Sequence, residues 1–208
     1  ALFWSAFEQA GSSLTLFAER MTERTVGSTI AAVLPAGAGG EFPATWFQSL
    51  NPLYILLLAP VFAWLWVSLG KREPSSPLKF AYALVLVGAG FAVMVGAAIV
   101  SGGEDGTLVS PLWLASTYLL HTLGELCLSP VGLSLMTKLA PPRIAGQIMG
   151  VWFLAAAVGN FMGGQIAGFF EAMPLPELFT WVCVVNIGAG LVLAAFSKPI
   201  RKLMEGVH

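Results

Sequence analysis

Six stretches of predominantly apolar residues, each long enough to cross a bilayer and separated by turns that collect nearly all the charge, set the terms on which this 208-residue chain folds. A hydrocarbon core about 30 Å thick takes roughly 20 residues of helix to cross, because each backbone polar group must find its partner inside the segment. The stretches cover residues 1–20, 51–70, 78–100, 111–139, 145–170 and 177–196, with 21–50 left as a loop. None alternates with the two-residue period that barrel strands require. Composition agrees: 57% of the residues are hydrophobic and 10% charged, against about 25% charged in soluble domains. The sequence predicts an all-α integral membrane protein with six transmembrane helices.

Charge placement orients these spans, because cytoplasmic turns are enriched in Lys and Arg. Lys71, Arg72 and Lys79 follow the second span, Lys138 and Arg143 the fourth, and Lys198, Arg201 and Lys202 the sixth. The opposite turns hold Arg20 and Arg24, with Glu104, Asp105, Glu171 and Glu177 beside them. Eight of the ten cations thus fall on one side, which predicts a multi-pass protein with its C-terminus in the cytoplasm and an external loop over 21–50. The Gly- and Pro-rich run Pro35 to Gly40 belongs to that loop. A net charge of −1 leaves no basic footprint for nucleic acid. Cys127 and Cys183 lie inside apolar runs without metal-ligand spacing. The chain opens at Ala1 directly into a span, with no basic region or cleavage site, so it reads as part of something longer rather than as a signal peptide.

Packing in lipid depends on small residues that let backbones approach. Gly159 with Gly163, Gly164 with Gly168, and Gly88, Gly90 and Gly96 are the candidates. Carboxylates at membrane depth are costly, about 2.5–3.5 kcal/mol each on insertion scales, so they normally face a cavity or a partner. Glu8 in the first span and Glu125 in the fourth are such groups. At the helical period Trp4, Glu8 and Ser12 share one face, His121, Glu125 and Ser129 another, and Trp152, Ala156 and Asn160 a third. These faces predict a water-filled site for a cation or amine, with carboxylates able to exchange protons; helix association through the acids is the alternative. Pro130, one turn beyond Glu125, predicts a kink or joint. No HExxH pattern, metal pair or positioned nucleophile supports an enzyme.

The strings FWSAFEQAGSSLTLFAER (Phe3 to Arg20), SLNPLYILLLAPVFAWLW (Ser49 to Trp66), GELCLSPVGLSLMTKLAP (Gly124 to Pro141) and IAGQIMGVWFLAAAVGN (Ile144 to Asn160) resemble helices seven, eight, ten and eleven of the proton-coupled oligopeptide transporters. That family, here of bacterial type, belongs to the major facilitator superfamily, and the resemblance implies that the chain is the C-terminal six-helix half. It further implies that Glu125 and Asn51 meet the amine of a di- or tripeptide, while Trp4, Glu8 and Trp152 line the pocket with Ala156 on the same wall. Glu125 would pair with a lysine of the N-terminal six-helix half and help close the cytoplasmic side. Glu8, Glu125 and Pro130 would take part in proton-linked movement, and Glu19 with Arg20 in an external gate.

The family's ExxER motif, carried on its first helix, is not in this chain, nor is the basic cluster that holds the peptide carboxylate. The implied partners are small peptides, protons, the lipid bilayer and the N-terminal half, in the cell inner membrane. No cofactor is implied, the proton gradient being the driving force. A membrane scaffold subunit, or a relative specialised for nitrate or single amino acids, stays open at this point.

Overall fold

Five of the six apolar stretches form unbroken helices long enough to cross a bilayer. The structure is a computed structural model and describes residues 1–25, 40–103 and 106–204. Helices α3 (Leu50–Leu69), α4 (Ser76–Ser101), α5 (Leu112–Leu139), α6 (Ala145–Ala167) and α7 (Leu175–Leu203) account for these five. Three of them differ by no more than two residues from the expected spans. α6 stops three residues early, at Ala167. α7 runs seven residues past Phe196, its last turn carrying Arg201 and Lys202, which complement the negative end of the helix dipole.

The first stretch departs from expectation. It is two helices, α1 (Leu2–Phe7) and α2 (Ser13–Met21), joined by a 3-10 turn over Glu8–Gly11. Ser12 sits at φ −134°, ψ −96°, outside the helical region, so the regular face through Trp4, Glu8 and Ser12 is not formed. The cause is local: Gly11 carries a high entropic cost in a helix, and serines compete for backbone hydrogen bonds. The freed Ala10 carbonyl accepts from Thr15 Oγ1 (2.7 Å) and Tyr118 Oη (3.3 Å), which makes the break affordable inside a bundle.

Of the loop expected over 21–50, residues 26–39 lie outside the described part, as do Glu104 and Asp105. At its edges Thr25 bridges Glu41, Arg24 pairs with Glu41 at 2.9 Å, and a 3-10 turn over Ala44–Ser49 leads into α3.

The tightest packing is around α4, which lies between α5 and α7 on glycine contacts. A Cβ at Gly88 would stand 2.6 Å from Ile187 Cγ1 and 3.0 Å from the Cys183 carbonyl, and one at Gly190 3.0 Å from the Ala81 carbonyl. Towards α5, a Cβ at Gly90 would meet the His121 ring at 2.6 Å, and one at Gly124 the Ala83 carbonyl at 2.9 Å. Phe179 then packs against Phe91 of α4 and edge-on against Phe17 of α2, at ring separations of 5.9 and 6.0 Å. Gly159 and Gly163 of α6 receive the backbone of α1 and its following turn, and Gly96 faces Trp113. The pair Gly164 and Gly168 makes no interface among the described residues: a Cβ on the first would meet nothing within 4 Å, and one on the second only a carbonyl of its own turn.

The α4–α7 seam therefore has no room for a methyl group. Gly88→Ala is expected to lower the thermal midpoint of the detergent-purified protein through an overpacking cost of about 1–3 kcal/mol. Gly146→Ala, where nothing lies within 4 Å, should leave the midpoint unchanged or raise it. Equal midpoints for the two variants would refute the seam as a constraint.

Candidate substrate-binding site

α3 contributes no buried residue of its own. Leu50, Tyr54, Phe62 and Trp66 pack against the core while half-buried, and polar contacts to α5 are made at one end. Asn51, in the first turn, donates from Nδ2 to Glu125 Oε2 (2.9 Å) and to Thr122 Oγ1 (3.1 Å). Thr122 in turn donates to the Tyr118 carbonyl at 2.8 Å, so its oxygen is left to accept. Tyr54, one turn on, donates to the Ala115 carbonyl at 3.3 Å. The consequence for Glu125 is specific: one carboxylate oxygen is held, while the other has no hydrogen-bond partner among the described residues. Thr122 was not among the residues expected at the site, although its position three before Glu125 on the same helix puts it beside the acid.

Glu8 ends α1 at the 3-10 turn. It is half-buried and without a side-chain hydrogen bond among the described residues. Around it Trp4 and Phe7 stand edge to face at 5.6 Å. The opposite wall of the turn is pinned by Gln9, 1% exposed, which donates to the Gly163 carbonyl of α6 at 3.0 Å and accepts from Ser13 Oγ at 2.5 Å. The break thus fixes Glu8 from behind while leaving its carboxylate uncommitted.

His121 does not join Glu125 on an open face. It is 1% exposed, packed between Phe7 and Phe91 at ring separations of 6.2 and 5.2 Å and against Gly90. Trp152 is half-buried and lies across Gly132 of α5, where a Cβ would stand 2.1 Å from its indole. Its ring is 6.4 Å from that of Phe80. Ala156, one turn along, is half-buried, and Asn160 is exposed.

α5 continues through Pro130, which lines a cavity of about 430 Å³ with Phe62 and Trp66 of α3, Lys79 of α4 and Ser134. Lys79 is 5% exposed, paired with Glu73 and seated 4.3 Å above the Trp66 ring. It is therefore part of a packed ion pair. At the far end Arg20 pairs with Glu171 at 2.9 Å, while Glu19 is exposed and its carbonyl accepts from Arg24 Nη2 at 3.4 Å.

The six residues expected to meet substrate, Trp4, Glu8, Asn51, Glu125, Trp152 and Ala156, are all half-buried. They come from four elements: the broken first span, α3, α5 and α6. Of these, Asn51 and Glu125 are in direct contact. Trp152 is engaged mainly by α5 and α4, so its placement depends on a glycine two residues beyond Pro130. Chemically, half-buried carboxylates among aromatic rings suit an ammonium group better than an anion.

The sequence pattern of the POT family (PTR2) matches residues 1–182. "Peptide transporter YePEPT" of Yersinia enterocolitica is 47% identical over 215 residues, covering 100% of this chain and 40% of that protein. The "Di-/tripeptide transporter" of Lactococcus lactis subsp. cremoris is 35% identical over 100% of this chain and 40% of its own length. The crystal structure of a peptide transporter POT in complex with sulfate superposes with a TM-score of 0.83 at 40% identity, covering 99% of this chain and 39% of that one. A POT family transporter in complex with a thioalcohol-conjugated peptide superposes at 0.82 and 32% identity, covering 96% and 39%. The chain thus spans about 40% of the length of the curated relatives it matches. With five helices long and apolar enough to cross a membrane and this match along most of its length, the chain is a multi-pass membrane protein that belongs to the POT family.

Proposed function

We propose that this chain is the C-terminal half of a proton-coupled symporter that takes up di- and tripeptides by alternating access. The Asn51–Glu125 contact carries the reading, because it leaves one oxygen of a membrane-depth carboxylate free for the ammonium end of a peptide. Glu8 adds a second carboxyl group to the site, Trp4 and Trp152 supply apolar wall, and Ala156 leaves space. Such walls discriminate weakly among side chains, since few groups on them demand a hydrogen bond. The names of the relatives, peptide transporter and di-/tripeptide transporter, agree with this substrate class. They do not favour a scaffold subunit, and a pair of carboxylates does not favour nitrate.

Peptide movement in this reading needs the N-terminal six-helix half, rocking against this bundle about a central site. Protons would pass through Glu8 and Glu125 as water and substrate come and go, with no cofactor involved. Glu19 and Arg20 would belong to the outer closure, where Arg20 already reaches Glu171. The location is the inner membrane with the C-terminus in the cytoplasm. In support, Lys71 after α3 and Arg201 near the end of α7 line one cavity, so two of the basic turns share an end of the bundle.

In proteoliposomes holding the full-length protein, Glu125→Gln is expected to abolish peptide uptake driven by a proton gradient while the protein stays folded; undiminished uptake would remove Glu125 from the mechanism. Asn51→Leu keeps the acid but loses its donor. A hydrogen bond to a charged group is worth about 1.5–3 kcal/mol, so the peptide concentration for half-maximal uptake should rise tenfold or more, roughly speaking. Cysteine placed at Ala156 should react with a charged aqueous thiol reagent and be protected by added dipeptide, whereas cysteine at Ala6, 0% exposed, should stay unreactive. Equal protection at both positions would mean that no water-filled route passes Ala156.

A further inference from the structure

Beyond the peptide-facing side, a smaller cavity of about 210 Å³ lies where α3 gives way to α4 and α7 approaches its end, lined by Lys71, Glu73, Ser75, Ser76, Lys79 and Arg201. Its charges do not cancel. Glu73 is committed to Lys79, whose ammonium also sits over Trp66, which leaves Lys71 and Arg201 as two cations brought together from separate elements. Hydrogen-bonding capacity is left over as well. Ser76 is 8% exposed and its hydroxyl has no hydrogen-bond partner among the described residues. Ser75, at the N-cap position of the 26-residue helix α4, makes no side-chain cap. The positive end of that helix dipole opens into the same space.

The level of this cavity narrows the choice of ligand. α3 ends at Leu69, α4 begins at Ser76 and α7 ends at Leu203, so the lining sits where apolar helices meet the headgroup layer. Val67, one turn before Lys71, and Phe196, just over one turn before Arg201, are 82% and 59% exposed, giving acyl chains an apolar surface to lie along. We propose that this cavity holds the phosphodiester of an anionic phospholipid, with Lys71 and Arg201 pairing with phosphate oxygens and the Ser75 and Ser76 hydroxyls donating to them. The lipid ties the α3–α4 turn to the end of α7. The proposal requires only that this end of the bundle meets a bilayer surface, and it stands apart from the peptide reading.

The test uses the full-length protein in phosphatidylcholine nanodiscs, titrated with phosphatidylglycerol and read by native mass spectrometry of the retained lipid. The double variant Lys71→Ala/Arg201→Ala is expected to bind phosphatidylglycerol roughly thirtyfold more weakly, about fivefold per cation. Its helical content and thermal midpoint in phosphatidylcholine alone should match the parent, which separates lost binding from lost folding. Ser76→Ala, which leaves every charge in place, should weaken binding severalfold. Lys198→Ala/Lys202→Ala removes two cations from the same end but outside the lining and should retain the lipid. Equal loss in that pair would show diffuse attraction and overturn the site. Undiminished retention in Lys71→Ala/Arg201→Ala would do the same, as would displacement of phosphatidylglycerol by sodium phosphate, which would mark a soluble-anion site.

Discussion

The close approach of α4 to both α5 and α7 is the constraint on which the rest of this bundle depends. Lipid offers no hydrophobic reward for bringing two apolar helices together, so association rests on dispersion contacts and on the few hydrogen bonds that close approach permits. Gly88 and Gly190 bring α4 against α7, Gly90 and Gly124 bring it against α5, and Thr117 Oγ1 donates to the Gly90 carbonyl at 3.2 Å across the second seam. These contacts give three helices a fixed relation. The others are placed by reference to them.

That division accounts for the character of the candidate site. α3 has no buried residue and α6 buries only Gly159 and Gly163 among its described side chains. Both therefore present most of their surface outward, and both carry residues of the proposed pocket. A site assembled from lightly packed helices around a rigid trio keeps its polar groups accessible, and its parts are the least costly ones to move. Glu125 belongs to the tightly packed trio, whereas Asn51, its partner, belongs to a lightly packed helix. Their hydrogen bond joins the two regimes.

The spans were legible because length and apolar composition suffice for them, and five of the six appear as continuous helices. The interruption in the first was signalled by Gly11, Ser12 and Ser13, a cluster of poor helix formers, but periodicity over a strongly apolar background hid it. Helix pairing is less legible. Gly164 and Gly168 have the same spacing as Gly159 and Gly163, and only the latter pair meets a neighbour, since spacing says nothing about which side of a helix is covered. Lys79 counts by position among the cations that follow the second span, and only the structure shows Glu73 and Trp66 enclosing it. Asn51 was implied only through family resemblance: a lone asparagine at the start of an apolar run does not announce an acid 74 positions later as its partner.

The seat of Trp152 on Gly132 has a mechanical meaning. Gly132 lies just past the residue where α5 loses a backbone hydrogen bond to proline, and the indole fills the notch where a side chain would otherwise project. Any swing of the far limb of α5 must then push or pull α6 through that ring, much as one cog turns another. The two helices thus interlock at a residue on the wall of the proposed pocket, and the indole is the part through which a load on one would reach the other.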